Sequence, residues 1–242
     1  MCTTTTTSPA PAARPDREDR EKTVQLYLDT ADRAAAVPLL ATGAFRGITT
    51  NPVILQRAGL GSGDIPAVHD WAVAHGAQVV FLQTWGSTAE ELAGRGHQLA
   101  ALSERVVVKL PATLAGTTAC AQLAAEGVPT LLTAAHTVAH AVLAGAAGAR
   151  WVAPYVSKVD DDESRAVDVV VAMHRALSTA GGSAGAGGSC EVLAASLRSL
   201  AAVGALAAAG VPAATLGTAL AEQLFTHPQT LDADRRFHEA AR

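Results

Sequence analysis

Cysteine is scarce: only three occur in 242 residues. Cys2, Cys120 and Cys190 are odd in number, far apart and in no Cys-x-x-Cys pair, which argues against a disulfide framework and a thiolate zinc site and fits a reducing cytoplasm. Positive charge is not in excess either. Lys and Arg number 18 against 22 Asp and Glu, for a net charge of −4, and no basic stripe appears, so the extended positive surface that binds a duplex is missing and nucleic acid is not an expected partner. No apolar run reaches the roughly 18 residues of a spanning helix. The Ala-rich stretch from Leu200 to Leu220 is broken by Gly204, Gly210 and Pro212, so no membrane is expected as a partner and the protein reads as soluble and cytoplasmic. Aromatic residues are only 4% of the chain, and abundant alanine predicts tight packing of helices through small side chains.

What is present is a large core. Hydrophobic residues make up 49% and charged residues 17%, the balance of a globular body. Residues 1–22 are Thr-, Pro- and Ala-rich and then of mixed charge, without the apolar segment of a secretory signal; they read as a disordered tail ahead of a single domain over 23–242.

The most informative stretch is Val106-Val107-Val108-Lys109-Leu110-Pro111, a buried-strand pattern that ends in a lysine. Lysine is rarely buried without a reason, and desolvation lowers its pKa, freeing the neutral amine to attack a carbonyl. The plain alternative is a lysine that ends the strand and snorkels to solvent. Other strand patterns also end in polar residues: 24–29 at Asp29, 47–52 at Asn51, 78–84 at Gln83 and 129–134 at Thr133. Those over 151–156, 190–196 and 214–217 bring Tyr155, Ser196 and a weaker last strand. Between them lie Ala/Leu-rich helical segments, such as 117–126 before Gly127. Eight strands alternating with helices predict a (β/α)8 TIM barrel, in which all the C-terminal strand ends surround one pocket. An open doubly wound sheet is the rival fold, but it would concentrate its ligand signature in one Gly-rich turn.

Three further features carry less. His136 and His140 stand one helical turn apart, yet no adjacent glutamate or third ligand makes them a zinc motif, so they read as ordinary helix residues and no metal is expected. The glycine-rich run 181–188 precedes a strand rather than following one, and reads as a flexible linker, not a phosphate cradle. Asp160-Asp161-Asp162-Glu163 reads as a solvated loop and helix start, with a divalent-ion site as the minor alternative.

Six motifs in order resemble the transaldolase family, and its small members that include the fructose-6-phosphate aldolases. They are LYLDT (26–30), GITTNP (47–52), VVVKLP (106–111), GVPTLLTA (127–134), APYVSKVDD (153–161) and VLAASLRS (192–199). The resemblance implies a transaldolase-like class I aldolase barrel that needs no cofactor and takes sugar phosphates. It also implies a homo-oligomer built with the C-terminal helix, and an imine between Lys109 and the ketone carbon of a dihydroxyacetone unit. By the same resemblance Asp29 would move protons at the carbinolamine and at the hydroxyl where the bond breaks. Gln83 and Thr133 would hold the catalytic water, and Tyr155 would act as an acid–base group. Asn51 and Ser196 would hydrogen-bond the donor's hydroxyls, with Thr49 as a further substrate-binding residue.

Glutamine at 83 and tyrosine at 155 match the aldolase subgroup, where transaldolases proper carry glutamate and often phenylalanine. Lys158 stands where the family usually has a phosphate-binding arginine, and lysine lacks the bidentate fork. Leu197 replaces a usual phenylalanine, and Arg198 matches the transaldolase pattern. Transfer of the dihydroxyacetone unit and simple aldol cleavage both remain open, as do a specialised sugar-building role and a catalytically inactive sugar-phosphate-binding barrel.

Overall fold

The computed structural model describes residues 24–179 and 189–242; the expected N-terminal tail (1–22) and the glycine-rich linker (181–188) fall outside them. Eight parallel strands close into a barrel in sequence order. They are β1 Gln25–Asp29, β2 Phe45–Thr49, β3 Val79–Gln83, β4 Val106–Pro111, β5 Thr130–Ala135, β6 Trp151–Pro154, β7 Glu191–Ala194 and β8 Ala213–Leu216. The (β/α)8 expectation therefore holds, and β1 pairs with β8 to close the ring.

The strands are short because each has a single job, to span the core once, and the helix caps that follow stop them. Asp32 accepts from the backbone N–H groups of Ala34 and Ala35, starting the helix Arg33–Ala41. Asn51 does the same for Val53 and Ile54, starting the helix Pro52–Arg57. This corrects the strand expected over 47–52. The strand begins earlier, at Phe45, and ends at Thr49, because Pro52 has no N–H for a ladder and is suited to the first helical position. The helix expected over 117–126 likewise starts earlier, at Leu114, capped by the Thr113 hydroxyl. One glycine is dictated by the sheet: a Cβ on Gly47 would lie 1.8 Å from the Val79 carbonyl oxygen, so β2 and β3 approach too closely for any side chain there.

Two cores follow from strand alternation. Outward-facing Leu28, Ile48, Leu82, Val108, Leu132, Val152 and Val192 pack under the helices. Inward-facing Tyr27, Phe81, Val107, Leu131, Trp151 and Leu193 fill the barrel. Three of the nine aromatics stack here: Tyr27 meets Phe81 edge-on at 5.1 Å between ring centroids, and Phe81 meets Trp151 at 6.1 Å. Together they make a closed floor beneath the C-terminal strand ends.

Candidate active site

Lys109 points inward from β4 just above that floor and is only 5% exposed. Its Nζ donates to the Thr50 carbonyl oxygen at 2.9 Å. Burial pushes its pKa down, and the nearby Asp29 charge pushes it back up to a lesser extent. The sheet thus delivers an amine inclined to be neutral, held by a neutral acceptor. That geometry rules out the snorkelling alternative, since the group does not reach solvent.

Asp29 ends β1 and accepts a 2.6 Å hydrogen bond from the Thr49 hydroxyl. The Thr49 oxygen is also 2.7 Å from the Thr215 hydroxyl. Thr49 has one proton and gives it to the carboxylate, so Thr215 donates to Thr49 and the chain runs Thr215 to Thr49 to Asp29. Thr49 was expected to touch substrate; it is fully buried and instead orients Asp29.

Gln83 ends β3, and its Oε1 is buried without a hydrogen-bond partner among the described residues. A buried acceptor left open beside a cavity is a place for a ligand or a water. On β5, the Thr133 hydroxyl donates to the Tyr155 hydroxyl at 3.3 Å. The backbone is irregular just beyond, with a register shift between Thr133 and Ala135 and a positive φ of 58° at Ala134, a bulge in the strand immediately after Thr133. Tyr155 follows β6 and bridges to Ala195. The His136 ring meets it edge-on at 6.2 Å, while His140 accepts the His136 backbone N–H through Nδ1 at 3.0 Å. These histidines brace the loop after β5. Among the described residues no group of three His, Cys, Asp or Glu side chains is arranged to hold a metal ion. In the acidic run, Asp160 pairs with Arg165 at 2.8 Å and Asp162 caps the start of the helix Glu163–Thr179.

Ser196 also has a positive φ, 59°, and its hydroxyl is 2.6 Å from that of Ser157. A non-glycine residue held there is sparsely populated backbone and clusters with function. Asn51 lines the mouth; its carbonyl oxygen is engaged in the helix cap, which leaves the amide N–H groups to face a ligand.

These side chains enclose a cavity of about 370 Å³ lined by Asp29, Asn51, Gln83, Lys109, Tyr155 and Ser196. Of the expected substrate-binding residues, Lys158 and Arg198 are exposed and do not line it; Arg198 donates to the Ser157 carbonyl oxygen at 3.4 Å. Reading the sequence missed Thr215, Ser157 and Arg57, the last of which lines the same cavity. Period-two alternation along β8 carried a signal for Thr215, a lone hydroxyl in an apolar strand. No signal in the sequence marked Arg57 or Ser157.

The model of the family described as transaldolase/fructose-6-phosphate aldolase matches residues 26–242. A probable transaldolase of Phenylobacterium zucineum is 32% identical over 207 residues, covering 86% of this chain and 91% of the relative. A probable transaldolase of Thermus thermophilus is 32% identical over 226 residues, covering 89% and 97%. Among solved structures, native KDPGal superposes with a TM-score of 0.55 at 15% identity, covering 80% of this chain and 82% of that one, a likeness of fold. The match to the family spans all eight strands and the last helix, and on that ground the chain belongs to the transaldolase/fructose-6-phosphate aldolase family.

Proposed function

We propose that this enzyme splits and joins ketose phosphates through an imine on Lys109, handling a dihydroxyacetone unit. The observation that carries the reading is a buried lysine, kept toward its neutral form by burial, sharing one cavity with an oriented carboxylate. The neutral Nζ adds to the ketone carbon, and the carbonyl oxygen takes up two protons, one from the attacking nitrogen and one from an acid of the site, and leaves as water, so that an iminium remains on Lys109. Asp29 then removes the proton of the hydroxyl on the carbon beyond the bond to be cleaved. That bond breaks, its electron pair neutralises the iminium as an enamine, and the aldehyde departs. The enamine either adds to an acceptor aldehyde, with Asp29 returning the proton, or takes a proton and is hydrolysed. Gln83, with its open Oε1, and the Thr133–Tyr155 hydroxyl pair are suited to holding and protonating the water of those steps, a task typically worth ~10²–10⁴ in rate. Asn51 and Ser196 offer donors to the hydroxyls of the bound unit.

The test is borohydride trapping. Incubation with dihydroxyacetone or fructose 6-phosphate and reductant should add the mass of the reduced adduct to the peptide containing Lys109. No added mass, together with aldol activity retained in Lys109→Ala, would refute the reading and leave a binding barrel in its place. Free dihydroxyacetone released without an acceptor marks simple cleavage; product formed only when an aldose is present marks transfer.

A cytoplasmic homo-oligomer is part of the same proposal. Helix Pro228–Ala240 has no buried residue and exposes Phe237 at 71% and Leu231 at 48%, apolar surface that suits packing against another copy.

A further inference from the structure

We propose that Ser157 is a positioning residue of the active site: its hydroxyl donates to Ser196 and so makes the Ser196 hydroxyl a hydrogen-bond donor to an oxygen of the substrate. The inference deepens the reading above and rests on it, since it concerns how that cavity grips its sugar.

The backbone brings the two serines together. β6 and β7 stop at Pro154 and Ala194, but their ladder continues beyond the strands. Tyr155 bridges Ala195, the Val156 N–H donates to the Ala195 carbonyl oxygen at 2.9 Å, and the Ser157 N–H donates to the Ser196 carbonyl oxygen at 3.2 Å. The last rung is doubled by the side chains, whose hydroxyl oxygens are 2.6 Å apart. Ser157 therefore holds Ser196 at backbone and side chain alike, and Ser196 is the residue with the positive φ of 59°. A non-glycine residue stays in that region only where its surroundings fix it, and Ser157 supplies two of the contacts that do so.

Proton counting gives the direction of the bond. Ser196 lines the 370 Å³ cavity and Ser157 does not. Each hydroxyl carries one proton. Among the described residues the Ser157 hydroxyl has no hydrogen-bond partner other than Ser196. Were Ser196 the donor, it would face the cavity with lone pairs alone, and the Ser157 proton would have no protein acceptor. With Ser157 donating, both protons are used once a substrate oxygen lies before Ser196, and a hydroxyl that accepts one hydrogen bond donates the next more strongly. The ligand group is thus a hydrogen-bond acceptor, a hydroxyl or phosphate oxygen of the sugar. The Ser157 carbonyl oxygen has a separate duty, accepting from Arg198 at 3.4 Å, so removing the hydroxyl leaves the arginine's contact in place.

The test is a double-mutant cycle on cleavage of fructose 6-phosphate and of fructose by wild type, Ser157→Ala, Ser196→Ala and the double variant. Ser157→Ala should lower kcat/KM by roughly 2- to 12-fold, the scale of one bond between neutral hydroxyls, through KM rather than kcat. Ser157→Thr, which keeps the hydroxyl, should stay within about twofold of wild type. In the Ser196→Ala background Ser157→Ala should change kcat/KM by less than about twofold, because its effect has no other route to the substrate. Support comes in two forms: an equal loss for both substrates assigns the oxygen to a hydroxyl of the sugar, and a loss confined to fructose 6-phosphate assigns it to the phosphate. Wild-type kcat/KM in Ser157→Ala, a loss that persists in full without the Ser196 hydroxyl, or a Ser157→Thr as impaired as Ser157→Ala overturns the proposal. Borohydride trapping of the wild type with dihydroxyacetone is run alongside. Its failure counts against the imine reading alone, because calorimetric affinities of the same four proteins for fructose 6-phosphate still decide the coupling; no binding at all overturns both.

Discussion

The hydroxyl chain behind Asp29 supplies a quantitative test. Thr49→Val removes a 2.6 Å hydrogen bond to a carboxylate while nearly preserving shape. A bond to a charged group is worth about 1.5–3 kcal/mol, so if its role is to orient Asp29 for proton transfer, kcat/KM should fall by roughly 10- to 150-fold. Thr215→Val removes only the 2.7 Å bond between two neutral hydroxyls, worth about 0.5–1.5 kcal/mol, or roughly 2- to 12-fold. Thr215 reaches Asp29 only through Thr49, so the two losses cannot add. In Thr49→Val the second substitution has no route to the carboxylate, and the double variant should match Thr49→Val within a factor of about two, a coupling of the order expected for residues in one network. The assay is steady-state cleavage of a ketose phosphate, with borohydride trapping as a separate readout of imine formation and Thr49→Ser as the conservative rescue. Strictly multiplicative losses would refute the relay, as would a Thr215→Val that costs as much in the Thr49→Val background as it does alone.

Two further outcomes are expected. Lys109 has a folded-state pKa below its ordinary value of 10.5, so between the two values the unfolded chain holds more protons and stability rises with pH. Lys109→Met, which removes the amine, should therefore melt higher than wild type at neutral pH, with each 1 kcal/mol read as about 2–4 °C, and the gap should close above pH ~10.5; a wild type more stable than this variant at pH 7 would contradict the burial argument. Cys190 is pushed up to about 12 by burial first, then by negative charge at Cys120 and Glu191. At pH 8 roughly one molecule in 10⁴ is thiolate, so iodoacetamide should modify Cys190 of the native protein ~10³-fold more slowly than a cysteine peptide, as read by peptide mapping. Labelling at the peptide's rate would disprove it.

The barrel was legible because each strand announces itself twice, by a run of apolar residues and by polar residues where it ends. The same polar ends gave Lys109, Asp29, Gln83 and Tyr155 as neighbours. The ambiguity lay in what a polar residue after a strand does. Asn51 looked like a strand end but is a helix cap, and both uses favour the same residue types. Thr49 looked like a substrate contact, but it bonds Asp29 and Thr215, the latter 166 residues away. A hydrogen bond of that span leaves no local periodicity or spacing to read. Arg57 was hidden for a related reason: on the sequence it is an ordinary basic residue ending a short helix, and only the closing of the barrel brings it to the mouth.

The aromatic floor of Tyr27, Phe81 and Trp151 has a consequence for traffic. A barrel sealed from below has one doorway, so on the mechanism proposed the departing aldehyde, the incoming acceptor and the water that would release the bound unit must all pass the same opening above Lys109. They compete for it. Whether the enzyme hands its carbon unit to another sugar or lets it go is then a matter of which visitor occupies the entrance first, and a longer or more tightly held acceptor works as a stopper against hydrolysis.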